Sequence, residues 1–398
     1  MKPLTLFDFE RLSLGDALEF TARSLNEYGQ HYKHWRIAYS GGKDSSATLA
    51  AVVHLISAGR VNAPESLGVL YADTRQELPP LHASAMAMLR AAEKRGVSTQ
   101  IVLPPLDKRF MVYMFGRGVP PPNNGTLRWC TRQIKVDPML AALETQRAEI
   151  GEKFLMLTGV RVGESAARDQ RIAVSCSKDG AECGQGWFQQ MSSDAISDTL
   201  APLLHWRVCH VWDWLAYEAH GLPTQEVALS YGGDEAQEKE ARTGCVGCPL
   251  ATKDVALDLI LREPQWAHLE PLKRLRPLYR ELRKPQYRLR KHGETLKDGS
   301  TSKSPNRMGP LTLEARRFGL ASVLNIQHDC NDAARERSRP GIDLINVEEA
   351  KRINELIGLN TWPQKWTGNE PRADEPHIPV IERELGNQWL FNQEEILT

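Results

Sequence analysis

Residues 34–46 read HWRIAYSGGKDSS, and the rest of the chain is best understood outward from them. His34 to Ser40 is a short apolar run that reads as a β-strand. Gly41 and Gly42 break it, and a helix dense in Ala, Leu and Val is expected from Ser45 to Ala58. Two glycines let the backbone turn sharply at a strand's carboxyl end. The N–H groups exposed there and the N-terminus of the next helix together form an anion cradle. Ser40, Ser45 and Ser46 add hydroxyl donors, Lys43 adds a positive charge for phosphate, and Asp44 lies between them. Neither the G-x-x-x-x-G-K-[ST] loop nor the dinucleotide G-x-G-x-x-G occurs. The plain alternative is a serine-capped glycine turn.

The neighbouring segments repeat the alternation. Strands are expected at Ser66 to Ala72, Thr99 to Leu103, Lys153 to Thr158 and Leu200 to Leu204. Helices are expected at Leu81 to Arg95, from Asp137 as N-cap with Pro138 in the first turn, and at Cys209 to His220. The fold class is therefore α/β: a parallel sheet with helices on both faces. Residues 175–198, rich in Ser, Gly and Asp, read as a surface insertion. After about residue 250 strand patterns disappear and Arg/Lys-rich helical segments take over. Residues 262–291 hold ten Lys+Arg against three Glu. Residues 298–305 resemble a flexible linker, and helices are expected at Thr312 to Asp332 and Val347 to Leu356. The expected organisation is a domain over 1–250 (helical lead-in 1–34, core 35–250), a basic helical domain over 251–366 and a weakly structured tail over 367–398.

Composition limits the function classes. Lys+Arg and Asp+Glu both number 50 in 398 residues, so net charge alone implies no nucleic-acid partner. The opening residues, MKPLTLFDFERLSLGDALEF, carry acidic groups where a leader needs an unbroken apolar region. No apolar run approaches the ~20 residues that span a bilayer. The expectation is a cytoplasmic protein without a membrane partner. Its seven cysteines then favour metal binding or sulfur chemistry over disulfides.

Other residues extend the candidate site. Asp73 and Thr74 end the second strand, at the sheet edge where ligands bind; an ordinary helix cap is the alternative. Arg161 and Arg168, behind the fourth strand, suit charge-assisted contacts to phosphate, with Glu164 or Ser165 orienting them. Cys245 and Cys248, in TGCVGCP at 243–249, form a tight C-x-x-C knuckle that suits zinc, an iron–sulfur cluster or redox-active thiols. Cys176, Cys183 and Cys209 read as incidental or structural.

These motifs carry a resemblance. Residues 40–46 resemble the SGGxDS loop of the PP-loop ATP pyrophosphatases, which hold the β- and γ-phosphates and release pyrophosphate. Asp73-Thr74 is similar to a step in the phosphoadenylylsulfate-reductase-like branch. Cys130, Lys135 and Pro138 look like that branch's C-x-x-x-x-K-x-x-P segment, in which the lysine meets the substrate phosphate. Residues 158–168 resemble its T-G-x-R-x-x-E-S-x-x-R loop, and residues 201–216 its P-L-x-x-W-x-x-x-x-V-W-x-x-L stretch. Residues 308–316, MGPLTLEAR, continuing to Gln327 and Asp343-Leu344-Ile345, resemble the DndC/SspD-type subunits of bacterial DNA phosphorothioation systems.

That resemblance implies ATP and Mg²⁺ at Ser40, Gly41, Gly42, Lys43, Asp44, Ser45 and Ser46, near Asp73 and Thr74. It implies catalytic work by Lys43, Asp44, Lys135, Arg161 and Arg168. Cys130, Cys245 and Cys248 would hold a [4Fe–4S] cluster with one iron open. Zinc and an unmetallated sulfur relay remain the other options. The family normally places a fourth cysteine soon after the C-x-x-C, whereas here the next is Cys330. The implied partners are DNA, a cysteine desulfurase as sulfur donor, and other subunits of a phosphorothioation complex. The competing readings are a phosphoadenylylsulfate or adenylylsulfate reductase, a tRNA-thiolating PP-loop enzyme, and a non-catalytic ATP-sensing scaffold.

Overall fold

The computed structural model describes residues 12–125, 127–163, 170, 181–182, 187–192, 194–216, 221–231, 244–291, 308–375, 381–383 and 386–388. Strand β1 (His34–Tyr39) leads through the glycine pair into α2 (Lys43–Ser57), and β2 (Ser66–Ala72) leads into α3 (Pro79–Glu93). β3 (Ser98–Val102), α4 (Asp137–Ile150) and β4 (Phe154–Leu157) follow. Ahead of β1, α1 (Leu14–Gly29) is started by a capping box in which Ser13 and Asp16 satisfy each other's backbone N–H groups.

The main sheet runs β3-β2-β1-β4-β7-β6-β5, where β5 is Ala181–Glu182, β6 Trp187–Gln189 and β7 Ser197–Ala201. The first five strands in that order pair in parallel; β5 and β6 add antiparallel. All four residues of β4 are buried, as a central parallel strand requires. Tyr39 of β1 lies opposite Tyr71 of β2, so the loops that follow these two strands emerge side by side.

Three expectations need correction. The segment 175–198 is not only a surface insertion: Trp187–Gln189 widens the sheet, and residues 197–198 already belong to β7. That strand starts three residues before the expected Leu200, because Ser197 and Asp198 pair with Phe154 and Leu155 despite their polarity. Asp137 is no N-cap. Residues 132–136 form a π-helical turn that runs straight into α4, and Asp137 itself has helical dihedrals (φ −62°, ψ −43°). Pro138 thus sits in the first turn of α4, directly after that wider coil.

Later elements are α5 (Val208–Ala216), α6 (Thr224–Leu229), α7 (Val255–Ile260), a 3₁₀ run Pro264–Arg274, α8 (Leu275–Glu281), α9 (Leu313–Glu336) and α10 (Val347–Gly358). A small hairpin, β8 (Ile381–Arg383) with β9 (Gly386–Gln388), lies beyond them. The expected linker at 298–305 lies outside the described residues. One hydrophobic core runs from α1 through the sheet to α9 and α10. Arg316 of α9 pins the helical region to the rest. It is fully buried; its Nε donates to the Phe115 carbonyl at 2.8 Å, its Nη1 to the Thr361 carbonyl at 3.0 Å and its Nη2 to the Gly116 carbonyl. Among the described residues no helix is long and apolar enough to cross a membrane.

Candidate functional site: the glycine loop and its thiols

The loop after β1 is held by its own hydroxyls and by two cations. Gly41 takes φ +73°, a left-handed conformation natural to glycine. Ser45 Oγ lies 3.2 Å from the Ser40 amide that donates to it, and itself donates to the Gly42 carbonyl at 3.0 Å. The Lys43 N–H donates to the Tyr231 hydroxyl at 3.1 Å. Ser46 is fully buried and its hydroxyl lies 3.2 Å from that of Tyr39, so this serine faces the core.

Asp44 is the centre of charge. Lys43 Nζ approaches one carboxylate oxygen at 2.8 Å and Arg161 Nε the other at 2.6 Å. Arg161 also donates to the Trp206 carbonyl at 3.2 Å. Burial works against ionisation of Asp44, but Arg161 and Lys43 outweigh it and hold the carboxyl below its ordinary range. Gly159 makes this junction possible. A Cβ there would stand 2.8 Å from the Asp44 carbonyl carbon and 2.9 Å from the Ser45 nitrogen, so the strand-β4 loop touches the α2 backbone. Arg168, with Glu164 and Ser165, lies outside the described residues.

The loop after β2 is equally ordered. Thr74 donates its hydroxyl to Glu77 at 2.7 Å, and Asp73 accepts the Arg75 N–H at 2.9 Å. One ligand atom each from Asp73, Glu77 and His82 lies within 4.8 Å of the others, a set suited to a hard divalent cation. Burial raises the Glu77 pKa, and the charge of Asp73 raises it further. Arg75 takes φ +61°, and its guanidinium reaches the Asp343 carbonyl at 3.2 Å and Glu349 at 3.4 Å. The helical region thus touches the loop that carries Asp73. Sequence reading missed Glu77, His82, Gly159 and Tyr231. For Glu77 the signal was present, four residues after Asp73 in DTRQE.

The C-x-x-C turn is stitched to this second loop. Val246 N–H donates to the Gln76 carbonyl at 2.6 Å, and Glu77 and Cys245 form an isolated antiparallel bridge. Gly247 takes φ +59°, and a Cβ there would meet Leu275 at 2.5 Å. Cys130 arrives from the π-turn side, held by Trp129, which stacks on Phe110 at 5.2 Å and donates to the Pro120 carbonyl. Burial raises the thiol pKa of both Cys130 and Cys245. The neighbouring Cys248 raises both further, and Cys130 adds to the effect on Cys245. The three sulfurs are therefore electrostatic neighbours, and the exposed Lys135 lies close enough to oppose the shift at Cys245. Cys330 is buried on α9 beside Leu272 and Arg274, and Cys209 lies on α5. Cys176 and Cys183 lie outside the described residues.

The basic stretch serves several purposes. Arg288 is buried and donates to the Gly309 carbonyl at 2.7 Å, and Arg283 holds the Pro249 carbonyl at 3.2 Å. Lys284 pairs with Glu281, Arg274 with Asp329 and Lys291 with Glu370. Arg262 and Arg280 are exposed, with no such partner among the described residues.

Residues 34–228 match the family described as phosphoadenosine phosphosulfate reductase domain. That stretch, just under half of the chain, is thus PAPS reductase-like. Two solved structures show how far the likeness extends. A phosphoadenylyl-sulfate (PAPS) reductase from Candida auris, in a phosphate complex, is 13% identical; the match covers 59% of this chain and 97% of that one at a TM-score of 0.35. The U34-tRNA thiolase NcsA from Methanococcus maripaludis, with its [4Fe-4S] cluster, is 13% identical over 68% of this chain and 79% of that one, at a TM-score of 0.34. No curated protein matches. The glycine loop and the Asp73 loop emerge from neighbouring parallel strands within the matched stretch, and the C-x-x-C turn, beyond it, is bonded to the second of these loops.

Proposed function

We propose that this protein is an ATP pyrophosphatase that adenylylates a phosphate oxygen of the DNA backbone so that sulfur can replace it. The observation that carries the reading is the stitching of the C-x-x-C turn to the Asp73 loop, beside the PP-loop. Phosphate activation and sulfur delivery then share one site.

ATP would lie along the loop from Ser40 to Ser46, and Asp73, Glu77 and His82 are the residues that would hold Mg²⁺, which would supply charge neutralisation at the phosphates. Thr74 orients Glu77. Lys43 exchanges Asp44 for the phosphates, and Asp44 keeps Arg161 aimed at the same place; Arg168 adds a further cation. A non-bridging oxygen of a DNA phosphodiester attacks the α-phosphorus, and pyrophosphate leaves. Positive charge at Lys43, Lys135 and Arg161 stabilises charge building on the phosphates. A persulfide delivered by a cysteine desulfurase then attacks the activated DNA phosphorus and AMP leaves. A second thiol cleaves the S–S bond, leaving sulfur on phosphorus.

Cys130, Cys245 and Cys248 fit an iron–sulfur cluster. Cys245 and Cys130 each feel the charge of Cys248, so the three thiols are neighbours. Three thiolates also suit zinc, which bonds sulfur at ~2.3 Å. A cluster, when bound, supplies an open iron for a sulfur atom.

Mass spectrometry of nuclease-digested host DNA, with and without the gene, tests the proposal. Phosphorothioate-linked dinucleotides that vanish with the gene, and with Ser40→Ala/Asp44→Ala, are expected. The family match makes sulfonucleotide reduction the second reading. Sulfite formed from an adenylylated sulfate with thioredoxin, and no pyrophosphate from ATP, would overturn the first. Thionucleosides lost from tRNA instead would move the acceptor to RNA.

A further inference from the structure

We propose that the cavity between α7 and α8 is the seat of the nucleic-acid backbone, and that its cations hold consecutive phosphates next to the thiol turn. This inference rests on the acceptor being a polynucleotide, as proposed above.

The cavity has a volume of about 530 Å³ and is lined by five cationic side chains, Lys253, Arg262, Lys273, Arg276 and Arg280, against two acidic ones, Asp254 and Asp258. Internal pairing uses only part of this charge. Lys273 lies 3.1 Å from Asp258, and Arg276 donates to the Ala251 carbonyl. Lys253, Arg262 and Arg280 are exposed and have no hydrogen-bond or carboxylate partner among the described residues. An excess of three cations in one concavity is not explained by folding, since like charges brought together cost stability. It is explained by a polyanion.

The arrangement is linear. Lys273, Arg276 and Arg280 follow a spacing of three and four residues, which places them along one side of the helical run ending in α8. The stripe is about 10 Å long at 1.5 Å per residue. A strand of duplex DNA advances ~3.4 Å along the helix axis per phosphate, so a stripe parallel to that axis spans roughly three phosphates, with Arg280 free and Lys273 and Arg276 shared with Asp258 and the Ala251 carbonyl. A free oxyanion would need one compact cluster; a stripe suits a chain of phosphates.

The cavity is also tied to the chemistry. Its wall begins at Thr252, four residues after Cys248, which is at most ~14 Å of chain. Ala251 N–H donates to the Cys248 carbonyl at 3.3 Å, and Arg276 holds the carbonyl of the same Ala251. One cavity cation is therefore bonded directly to the loop that leaves the thiol turn. A backbone held here passes close to the three cysteines.

Fluorescence anisotropy with a labelled 20-mer duplex, titrated over salt, tests the inference on the full chain. Wild type, Arg262→Glu and Arg280→Glu are compared, with ATP binding as the control for folding. The expected result is at least tenfold weaker duplex binding for each variant, a salt slope smaller by about 0.9 for each phosphate contact removed, and unchanged ATP binding. If the variants bind duplex like wild type, the cavity assignment is wrong while the DNA reading stands. If wild type binds RNA and not DNA, and the variants lose RNA binding, the cavity stands and the DNA acceptor falls. If wild type binds neither, or if the variants lose only free phosphate or sulfate, the inference is overturned.

Discussion

Replacing Arg161 by Met should destabilise the protein and do so through Asp44. Both side chains are largely shielded, at 5% and 17% exposure, and their charged atoms lie 2.6 Å apart. Removing one partner of a buried ion pair costs about 3–5 kcal/mol, because the other charge is left uncompensated. Lys43 remains 2.8 Å from the second oxygen of Asp44, so the loss should fall near the lower figure, about 3 kcal/mol. Asp44→Asn should cost a similar amount, since it strands two cations. The double variant should cost less than the sum by at least ~2 kcal/mol, as expected of residues in one network. Urea unfolding of the four proteins, followed by tryptophan fluorescence, gives the cycle. The pH dependence follows from the sign of the Asp44 shift. A carboxyl depressed in the fold stabilises fully above its unfolded value near 3.8 and loses that contribution as pH falls through the native pKa. The Asn variant should lack this acid-sensitive component. Single-variant losses that add to within ~0.5 kcal/mol would refute the coupling on which the loop's electrostatics are argued.

Gly159→Ala should destabilise by about 1–3 kcal/mol and weaken ATP binding, because the new methyl meets backbone of Asp44 and Ser45 rather than a side chain that can turn away; calorimetric titration with ATP checks it. Arg316→Met strips three carbonyls of a buried donor and should cost about 3 kcal/mol or more. Limited proteolysis should then release the helical region earlier than in wild type. Burial holds the Cys330 thiol protonated up to about 12. It should resist alkylation at pH 9 until urea is added, and the fold should lose stability as pH rises from the ordinary thiol value toward that figure.

Much of the fold was legible because it is written locally. The apolar run at 34–39 and the glycine pair placed β1, the turn and α2 in register. Features set by distant partners were not legible. The start of β7 depends on pairing with β4, which lets polar Ser197 and Asp198 into the sheet. Pro138 reads as a helix start, yet the turn before it is already coiled. Arg316, within the MGPLTLEAR stretch, carries no structural signal in the sequence, yet it fastens two regions through carbonyls about 200 positions away. At the site, Asp44 and Lys43 followed from the loop motif, whereas the need for glycine at 159 follows only from how closely a second loop approaches α2. The cation run 262–291 reads as one surface; the fold divides it between buried fasteners and free charges.

Arg75 bears on how such proteins diversify. A single guanidinium on the Asp73 loop bonds the Asp343 carbonyl and the Glu349 carboxylate, both contributed by the helical region. A lineage exchanging that region for another would need to keep an acid matched to this joint, together with the Arg316 anchor and the shared core. The joint thus sets which helical partners the Asp73 loop can accept.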